Sequence, residues 1–165
     1  MVSPRVYIEL EESSSVTFVE QHEGNSKEYL LNSSLIMGIK RNSRMCHIRI
    51  QNNSGNTFNI GNIHVQQDKE SHYSFYQFAY GSKIGRLNLF TNLNGKGAEC
   101  FLNGLALTCN HQHLDNHIIT NHNAPNCTSS QNFKSLLNDS SSGVFNGRTI
   151  VSQGAEKTDS NQSNK

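Results

Sequence analysis

Apolar and polar residues alternate along most of this chain, with apolar side chains at every second position. In the segment 46–51, for example, Cys46, Ile48 and Ile50 alternate with polar residues. This period of two is typical of strands that bury one face. No segment has the i, i+3, i+4, i+7 apolar spacing of a helix over about a dozen residues. The pattern predicts an all-β protein in which the apolar face of 46–51 meets the core.

Many short strands are predicted, separated by polar corners rich in Asn, Ser, Gly and Lys. Asn and Ser number 22 and 21, and both favour turns over helices because their side chains bond to nearby backbone groups. Such spacing suits a sandwich, a barrel or a solenoid, and alternation alone does not separate them. The tail after Glu156 has lost its apolar residues and is predicted to be disordered. The predicted strands are 6–10, 16–20, 28–31, 35–39, 46–51, 57–60, 63–67, 73–80, 86–93, 98–102, 105–109, 117–122, 143–145 and 149–152.

Charge and hydropathy exclude several classes of protein. Fourteen Lys and Arg stand against thirteen Asp and Glu over 165 residues, for a formal net charge of +1 with no block of one sign. The chain therefore lacks the concentrated positive charge that binds nucleic acid or an anionic membrane surface. Its apolar runs are too short for a membrane span or a signal-peptide core. We expect a single non-secreted domain without nucleic-acid or membrane partners.

The four cysteines, Cys46, Cys100, Cys109 and Cys127, form no C-x-x-C pair. Without an export signal we expect all four to be reduced and buried. The last predicted strand before the His-rich segment would place Leu105, Leu107 and Cys109 on its inward face.

Potential metal ligands are densest at Cys109, His111, His113, Asp115 and His117, which occupy every second position. Neighbours at i and i+2 on a strand are about 6.6 Å apart, so two could share one ion but all five could not. A cupin-like metal-dependent enzyme using His111, His113 and His117 is one hypothesis. The favoured interpretation is that 110–116 is an exposed corner.

Aromatic residues cluster once, in the predicted strand 73–80. Tyr73 and Phe75 share one face, and Tyr76, Phe78 and Tyr80 share the other. We expect both faces to be covered, either by layers of the same core or by another chain. No nucleophile elbow or phosphate-binding loop is present. The sequence therefore predicts no catalytic, cofactor-binding or metal-binding residue, and no enzyme.

An ordered set of short motifs runs through the second half of the chain, at 104–107, 112–117, His122, 130–134, 143–148, Val151, Ala155, Lys157, Thr158, Asp159 and Gln162. A looser set lies in the first half, at Arg5, Glu20, Gly81 and Arg86. These residues resemble the SufB/SufD family of the SUF iron–sulfur cluster assembly system, and they are closer to SufD. The similarity covers nearly the whole chain, and the ordered set of short motifs is specific.

The resemblance implies a right-handed parallel β-helix, with residues 1–165 as a single core domain that is incomplete at its carboxy terminus. It implies a non-catalytic scaffold subunit that pairs with a SufB-like subunit and a SufC-like ATPase, in the cytoplasm or an organellar stroma. An iron–sulfur cluster or iron would be held transiently by the full complex, and we expect no cofactor bound by this chain alone. The family's Cys-Ser-His segment and its ATPase-contacting helices have no counterpart in these residues.

Among the matched positions, polar side chains are the first candidates for a functional role. One interpretation is that His117, His122 and Lys134 face a channel or the partner. The favoured interpretation is that they close corners by hydrogen bonding to carbonyls freed at each bend. Gly143 and Gly147 are expected at corners that require positive φ.

Overall fold

The computed structural model describes residues 1–24 and 28–165, and its regular elements are strands. Each coil of the chain contributes two of them. The strands are β1 Arg5–Leu10, β2 Ser15–Gly24, β3 Tyr29–Ile39, β4 Arg44–Asn53, β5 Thr57–Gln67, β6 His72–Gly81, β7 Ile84–Leu93, β8 Glu99–Thr108, β9 His113–His122, β10 Thr128–Leu137, β11 Ser142–Val151 and β12 Asp159–Asn164.

Odd-numbered and even-numbered strands form two separate parallel sheets, which we call the odd sheet and the even sheet. Each strand pairs with the equivalent strand one coil later, so that Arg5 lies beside Ser34 and His113 beside Ser142. The result is a β-solenoid of about five turns, and the predicted parallel β-helix is confirmed.

The core lies between the inner faces of the two sheets. Met37 and Leu89 of the odd sheet and Phe75 and Leu102 of the even sheet are buried there. Because each coil stacks its inward side chains on those of the next coil, burial of apolar surface stabilises neighbouring coils together.

The corners repeat structurally although their sequences differ. Ser13, Asn42, Glu70, Gly97 and Asn126 all have positive φ at equivalent places in successive coils. The amide of each donates to a carbonyl at the matching corner of the next coil, as from Asn42 to Lys69 at 3.0 Å. The repeat consists of a backbone conformation and a backbone hydrogen bond. Residues of different types can adopt both, so the sequence shows no matching repeat.

The expected corner role of Gly143 and Gly147 is wrong, because both lie within β11. A Cβ on Gly147 would come within 2.8 Å of the side chains of Phe145, Gln131 and Gln162. This glycine is therefore required by close packing and not by backbone conformation.

Strand boundaries depart from the prediction in two ways. Pairs of short predicted strands merge into β3, β5, β8 and β11, since the polar residues between them continue the extended backbone. Two strands were missed, β10 and β12. The predicted disordered tail contains β12, whose Asp159 pairs with Thr128 of β10. Parallel hydrogen bonds to a neighbouring coil order this polar segment, which has few apolar side chains of its own.

In two strands, the face that points into the core is the opposite of the one predicted. In β4 the polar residues His47, Arg49 and Gln51 are buried, while Ile48 and Ile50 face outward. In β8 the inward residues include Ala106 and Thr108, so Leu105, Leu107 and Cys109 do not form an inner face. Alternation defines two faces, but packing against neighbouring coils decides which one is inside.

Candidate functional site

A group of polar side chains inside the solenoid forms the most closely connected cluster in the described part of the chain. We call it the Glu20 cluster: Glu20 and His22 point inward from β2, His47 and Arg49 from β4, and Asn59 from β5 across the core. The alternation of each strand places these residues on its inner face, and the parallel register stacks β2 on β4.

The carboxylate of Glu20 contacts three side chains: two histidines within hydrogen-bond distance and one arginine as an ion pair. His22 Nε2 lies 2.7 Å from Oε1, and His47 Nε2 lies 3.2 Å from Oε2. Arg49 Nε is 3.6 Å from the same Oε2. The carboxylate is thus surrounded by donors on two neighbouring coils.

The second ring nitrogen of each histidine fixes its tautomer. His22 Nδ1 faces two donors, Arg49 at 3.3 Å and Asn59 at 3.1 Å, so it is the acceptor and Nε2 carries the proton. His47 Nε2 likewise donates to Glu20, and its Nδ1 accepts from the Tyr73 hydroxyl at 3.0 Å. Each imidazole therefore has a partner at both ring nitrogens.

Burial and pairing compete in setting the charge of this cluster. Burial alone would raise the pKa of Glu20, but hydrogen bonds from His22 and His47 and the charge of Arg49 outweigh it and hold that pKa well below its usual range. Burial lowers the pKa of His47 despite its bond to Glu20. The cluster therefore holds one buried carboxylate against one guanidinium, with His47 neutral.

A cavity of about 190 Å³ lies beside Glu20 and His22, with Phe18, Ser33 and Leu35 in its wall. The polar groups of Glu20 and His22 already bond within the Glu20 cluster. Because those bonds connect β2, β4 and β5, the cluster stabilises the packing of these three strands.

A second polar group lies on the outer face of the odd sheet. Arg86 Nη1 lies 2.9 Å from Asp115 Oδ2, and His117 Nε2 lies 2.9 Å from Asp115 Oδ1. Arg86 also donates to Asn88, which donates to Asn62 on the previous coil. These side chains form a row of hydrogen bonds and ion pairs across the neighbouring strands β5, β7 and β9.

The residues of the predicted His-rich site do not come together. His111 is exposed in the corner before β9, whereas His113 begins that strand and bonds to Ser142. His117 pairs with Asp115 instead. Within residues 1–24 and 28–165, no group of three or more His, Cys, Asp or Glu side chains has metal-binding placement. Because cupins are antiparallel jelly rolls and these sheets are parallel, the cupin-like hypothesis for His111, His113 and His117 is wrong.

Comparison with known proteins identifies the family. The family described as "SUF system FeS cluster assembly, SufBD core domain" matches residues 1–165. This chain belongs to that family. Its SufBD core is 26% identical to a SufBD family iron–sulfur cluster assembly protein of Synechocystis over 100% of this chain and 38% of the relative. The chloroplastic protein ABCI7 of Arabidopsis thaliana is 30% identical over 97% of this chain and 34% of its own length. SufD of Escherichia coli is 26% identical over 97% of this chain and 38% of its own length.

The chain therefore spans between a third and two fifths of the length of these curated relatives. No helix in the described ranges of the SufBD core has the length and apolar character that a membrane crossing needs.

Family-matched polar residues of the SufBD core lie within strands. His122 is the last residue of β9 and is buried, with Nε2 2.8 Å from the Ser129 hydroxyl. Lys134 lies in the middle of β10 and is exposed. The expected corner-closing role is therefore wrong for His117 and Lys134, which lie within strands. His122 does border a corner, but its bond is to the Ser129 hydroxyl and not to a backbone carbonyl.

The residues that sequence reasoning missed are His22, His47, Arg49 and Asn59, which complete the Glu20 cluster. The sequence indicates them only weakly, because polar residues at alternate positions of a strand normally indicate a face exposed to solvent. Only Glu20 was identified, through the resemblance and not through its chemistry.

The aromatic strand of the SufBD core is covered on one face. Tyr73 and Phe75 are buried, whereas Tyr76, Phe78 and Tyr80 are 39%, 43% and 38% exposed. The expectation that both faces are covered is not met by the described residues.

The cysteines of the SufBD core are free thiols with different surroundings. Cys100 and Cys127 are buried, Cys46 is half-buried, and Cys109 is exposed, so the expected burial of all four is wrong for Cys109. Burial raises the pKa of Cys100 to about 12 and also raises that of Cys127. Neither buried thiol has the low pKa of a reactive cysteine.

Proposed function

We propose that residues 1–165 form a single core domain of a SufD-like scaffold subunit in SUF iron–sulfur cluster assembly, without catalytic turnover of its own. The observation that carries this proposal is the match of the SufBD core family to the whole chain. The relative from Escherichia coli is named an iron–sulfur cluster assembly protein, SufD.

The chemistry of the interior supports a scaffold more than an enzyme. Glu20 accepts hydrogen bonds from two histidines and is ion-paired with Arg49, so it is a poor general base, and its lowered pKa also disfavours proton uptake. The raised pKa of Cys100 disfavours a thiolate nucleophile. These groups support the solenoid, and the outer faces of the sheets present the surfaces available for binding.

The proposed partners are a SufB-like subunit and a SufC-like ATPase, with clusters or iron held only transiently by the assembled complex. The proposed location is the cytoplasm or an organellar stroma, in keeping with a bacterial relative and a chloroplastic one. Nucleic acid and membranes are not among the proposed partners, since the net charge is only +1.

Co-expression of the tagged chain with SufB and SufC of Escherichia coli tests this proposal. We expect SufB to co-purify with the chain, and untagged full-length SufD from the same organism should displace it by competition. Failure to capture SufB, when tagged SufD captures it under the same conditions, would refute the proposed pairing. Turnover of a substrate by the purified chain alone would refute the non-catalytic role.

A further inference from the structure

A groove runs along the outer side of β8 in the even sheet, and we call it the β8 groove. Outward residues of β8 form its floor, while β6 forms one wall and β10 the other. The parallel register places each floor residue between one residue of either wall. Three rows cross the groove in this way: Tyr76, Asn103 and Asn132; Phe78, Leu105 and Lys134; and Tyr80, Leu107 and Leu136.

Two neighbouring cavities lie in this groove. The first, of about 230 Å³, is lined by residues of the first two rows, among them Phe78 and Lys134. The second, of about 480 Å³, continues along the third row to the corner that follows β8, and Leu137 and Cys109 lie in its wall. Side chains of a partner can therefore enter the groove at two places along β8.

The walls of the β8 groove are apolar and exposed. Leu136 and Leu137 of β10 are 64% and 49% exposed, and the outward aromatic residues of β6 face them across β8. Parallel sheets are normally buried on both faces, with helices as the cover. The described residues supply no such cover here, because their regular elements are strands. The groove therefore has the character of a surface that another polypeptide covers.

The dimensions of the groove fit a single helix. Its walls stand on strands two spacings apart, which is about 10 Å, and a helix with its side chains is about 10–12 Å in diameter. The floor from Asn103 to Thr108 is about 17 Å long at the rise of a strand, so a helix of about 11 residues, or three turns, spans it. Such a helix carries apolar side chains at i, i+3, i+4 and i+7 on one face, and these can enter both cavities.

Lys134 sets the charge that complements the groove. It is exposed in the β10 wall of the first cavity, and within residues 1–24 and 28–165 no acidic side chain forms an ion pair with it. The other residues of the three rows are apolar or neutral. A carboxylate on the flank of the helix that faces β10 would pair with Lys134.

We propose that the β8 groove binds an amphipathic helix of a partner protein, with apolar residues at i, i+3, i+4 and i+7 and an acidic residue on the flank that faces β10. The apolar residues fill the two cavities between the aromatic wall of β6 and the leucines of β10. The described part of this chain contains no helix, so the partner is a different polypeptide.

Display selection of helical peptides on the purified 165-residue chain tests this proposal. The library peptides have about 16 residues, long enough to be partly helical alone. Leu is fixed at i, i+3, i+4 and i+7, and the flanking positions are randomised. We expect the enriched peptides to carry Asp or Glu on one flank.

Charge reversal identifies the contact with Lys134. Fluorescence anisotropy of an enriched peptide should show binding weakened about tenfold by Lys134→Glu, since two carboxylates then meet. The same selection repeated on Lys134→Glu should enrich Lys or Arg on that flank. Lys96→Glu is the matched control: it makes the same charge change at an exposed corner outside the groove, and it should leave binding unchanged.

Two further measurements locate the peptide. Cys109 is exposed in the wall of the second cavity, so bound peptide should slow its alkylation in proportion to the fraction of chain occupied. Cys46, which is half-buried and does not line either cavity, should react at an unchanged rate. Leu136→Asp places a charge at an exposed position of the wall and should abolish binding, with circular dichroism melting to check that the variant is folded.

Selection that enriches no peptide above the level obtained on Leu136→Asp would overturn the proposal. Enriched peptides that bind Lys134→Glu as well as wild type, or that leave Cys109 fully reactive, would overturn it too. Binding of phosphatidylglycerol vesicles without peptide enrichment would assign the groove to a membrane surface and contradict a helical partner. The inference does not depend on the proposed scaffold function, and failure to capture SufB with peptide binding intact would refute only that function.

Discussion

The ring of His47 lies between Glu20 and Tyr73 inside the solenoid, with Nε2 3.2 Å from the Glu20 carboxylate. Glu20 and His47 come from adjacent coils, so their contact joins β2 to β4. Arg49, on the same inner face as His47, supplies the compensating positive charge. Coil-to-coil stability at this end of the solenoid therefore depends on a buried ionic contact as well as on apolar packing.

Glu20→Gln should lower the free energy of unfolding by about 3 kcal/mol, because it leaves the buried Arg49 guanidinium without its counter-charge. The double variant Glu20→Gln/Arg49→Met should be destabilised less than Glu20→Gln alone. Urea denaturation measures both. Glu70→Gln, at a side chain that is 52% exposed, is the control and should change stability by less than about 0.5 kcal/mol. A loss below about 1 kcal/mol in Glu20→Gln would show that water reaches the cluster.

Stability should fall as the pH drops below about 6.5. Burial lowers the pKa of His47 and of His122 from the ordinary value of 6.5. Both are neutral when folded, so the unfolded chain binds more protons below that pH. Their contribution is present above pH 6.5 and is lost on acidification, at up to about 1.4 kcal/mol per pH unit for each proton. The lowered pKa of Glu20 adds a loss below about pH 4.5.

The variant His47→Gln keeps hydrogen-bonding capacity without titrating, and it should reduce the slope of unfolding free energy against pH between 6.5 and 5. Urea denaturation at a series of pH values measures this slope. A wild-type protein equally stable at pH 7 and pH 5 would contradict the neutral assignment of the two histidines.

The all-β class followed from alternation, because a period of two survives even where the buried side chains are polar. The phase of that alternation was not predictable in β4, where burial of Arg49 depends on Glu20 from the previous coil. Strand β12 was missed for a related reason: its order comes from pairing with β10 and not from its own apolar residues. The parallel architecture came from the family resemblance, since the corner repeat is carried by φ angles at Ser13, Asn42 and Glu70 and not by residue type.

The four cysteines should all be alkylated in unfolded, unreduced protein, because no pair of them forms a disulfide. In the native protein Cys109 should react first, since it is exposed, whereas Cys100 should be protected by burial and by its pKa of about 12. Mass spectrometry after timed labelling gives the order. A pair that resists alkylation until a reductant is added would contradict the reduced state.

Replacing His111 and His113 together by Ala should change the free energy of unfolding by less than about 1 kcal/mol. His111 is exposed in a corner, and the bond of His113 to Ser142 lies at the surface. Denaturant titration measures the change. A loss above about 2 kcal/mol, accompanied by about one metal ion per chain in elemental analysis of the natively purified protein, would restore the metal-site hypothesis.

Hydrogen exchange should be slower in the central strands than in the outermost ones. Strands β7 and β8 have a paired neighbour on both sides, whereas among the described residues β11 pairs only with β9 and β12 only with β10. Since a solenoid coil is stabilised mainly by its neighbours, the outer coil opens at a lower free energy. Amides in 149–152 should exchange at least about tenfold faster than those in 86–93. Exchange followed by mass spectrometry resolves these segments. Equal protection of 149–152 and 86–93 in a monomer would show that the last coil is stabilised without a second neighbour, and would contradict the dependence of coil stability on stacking.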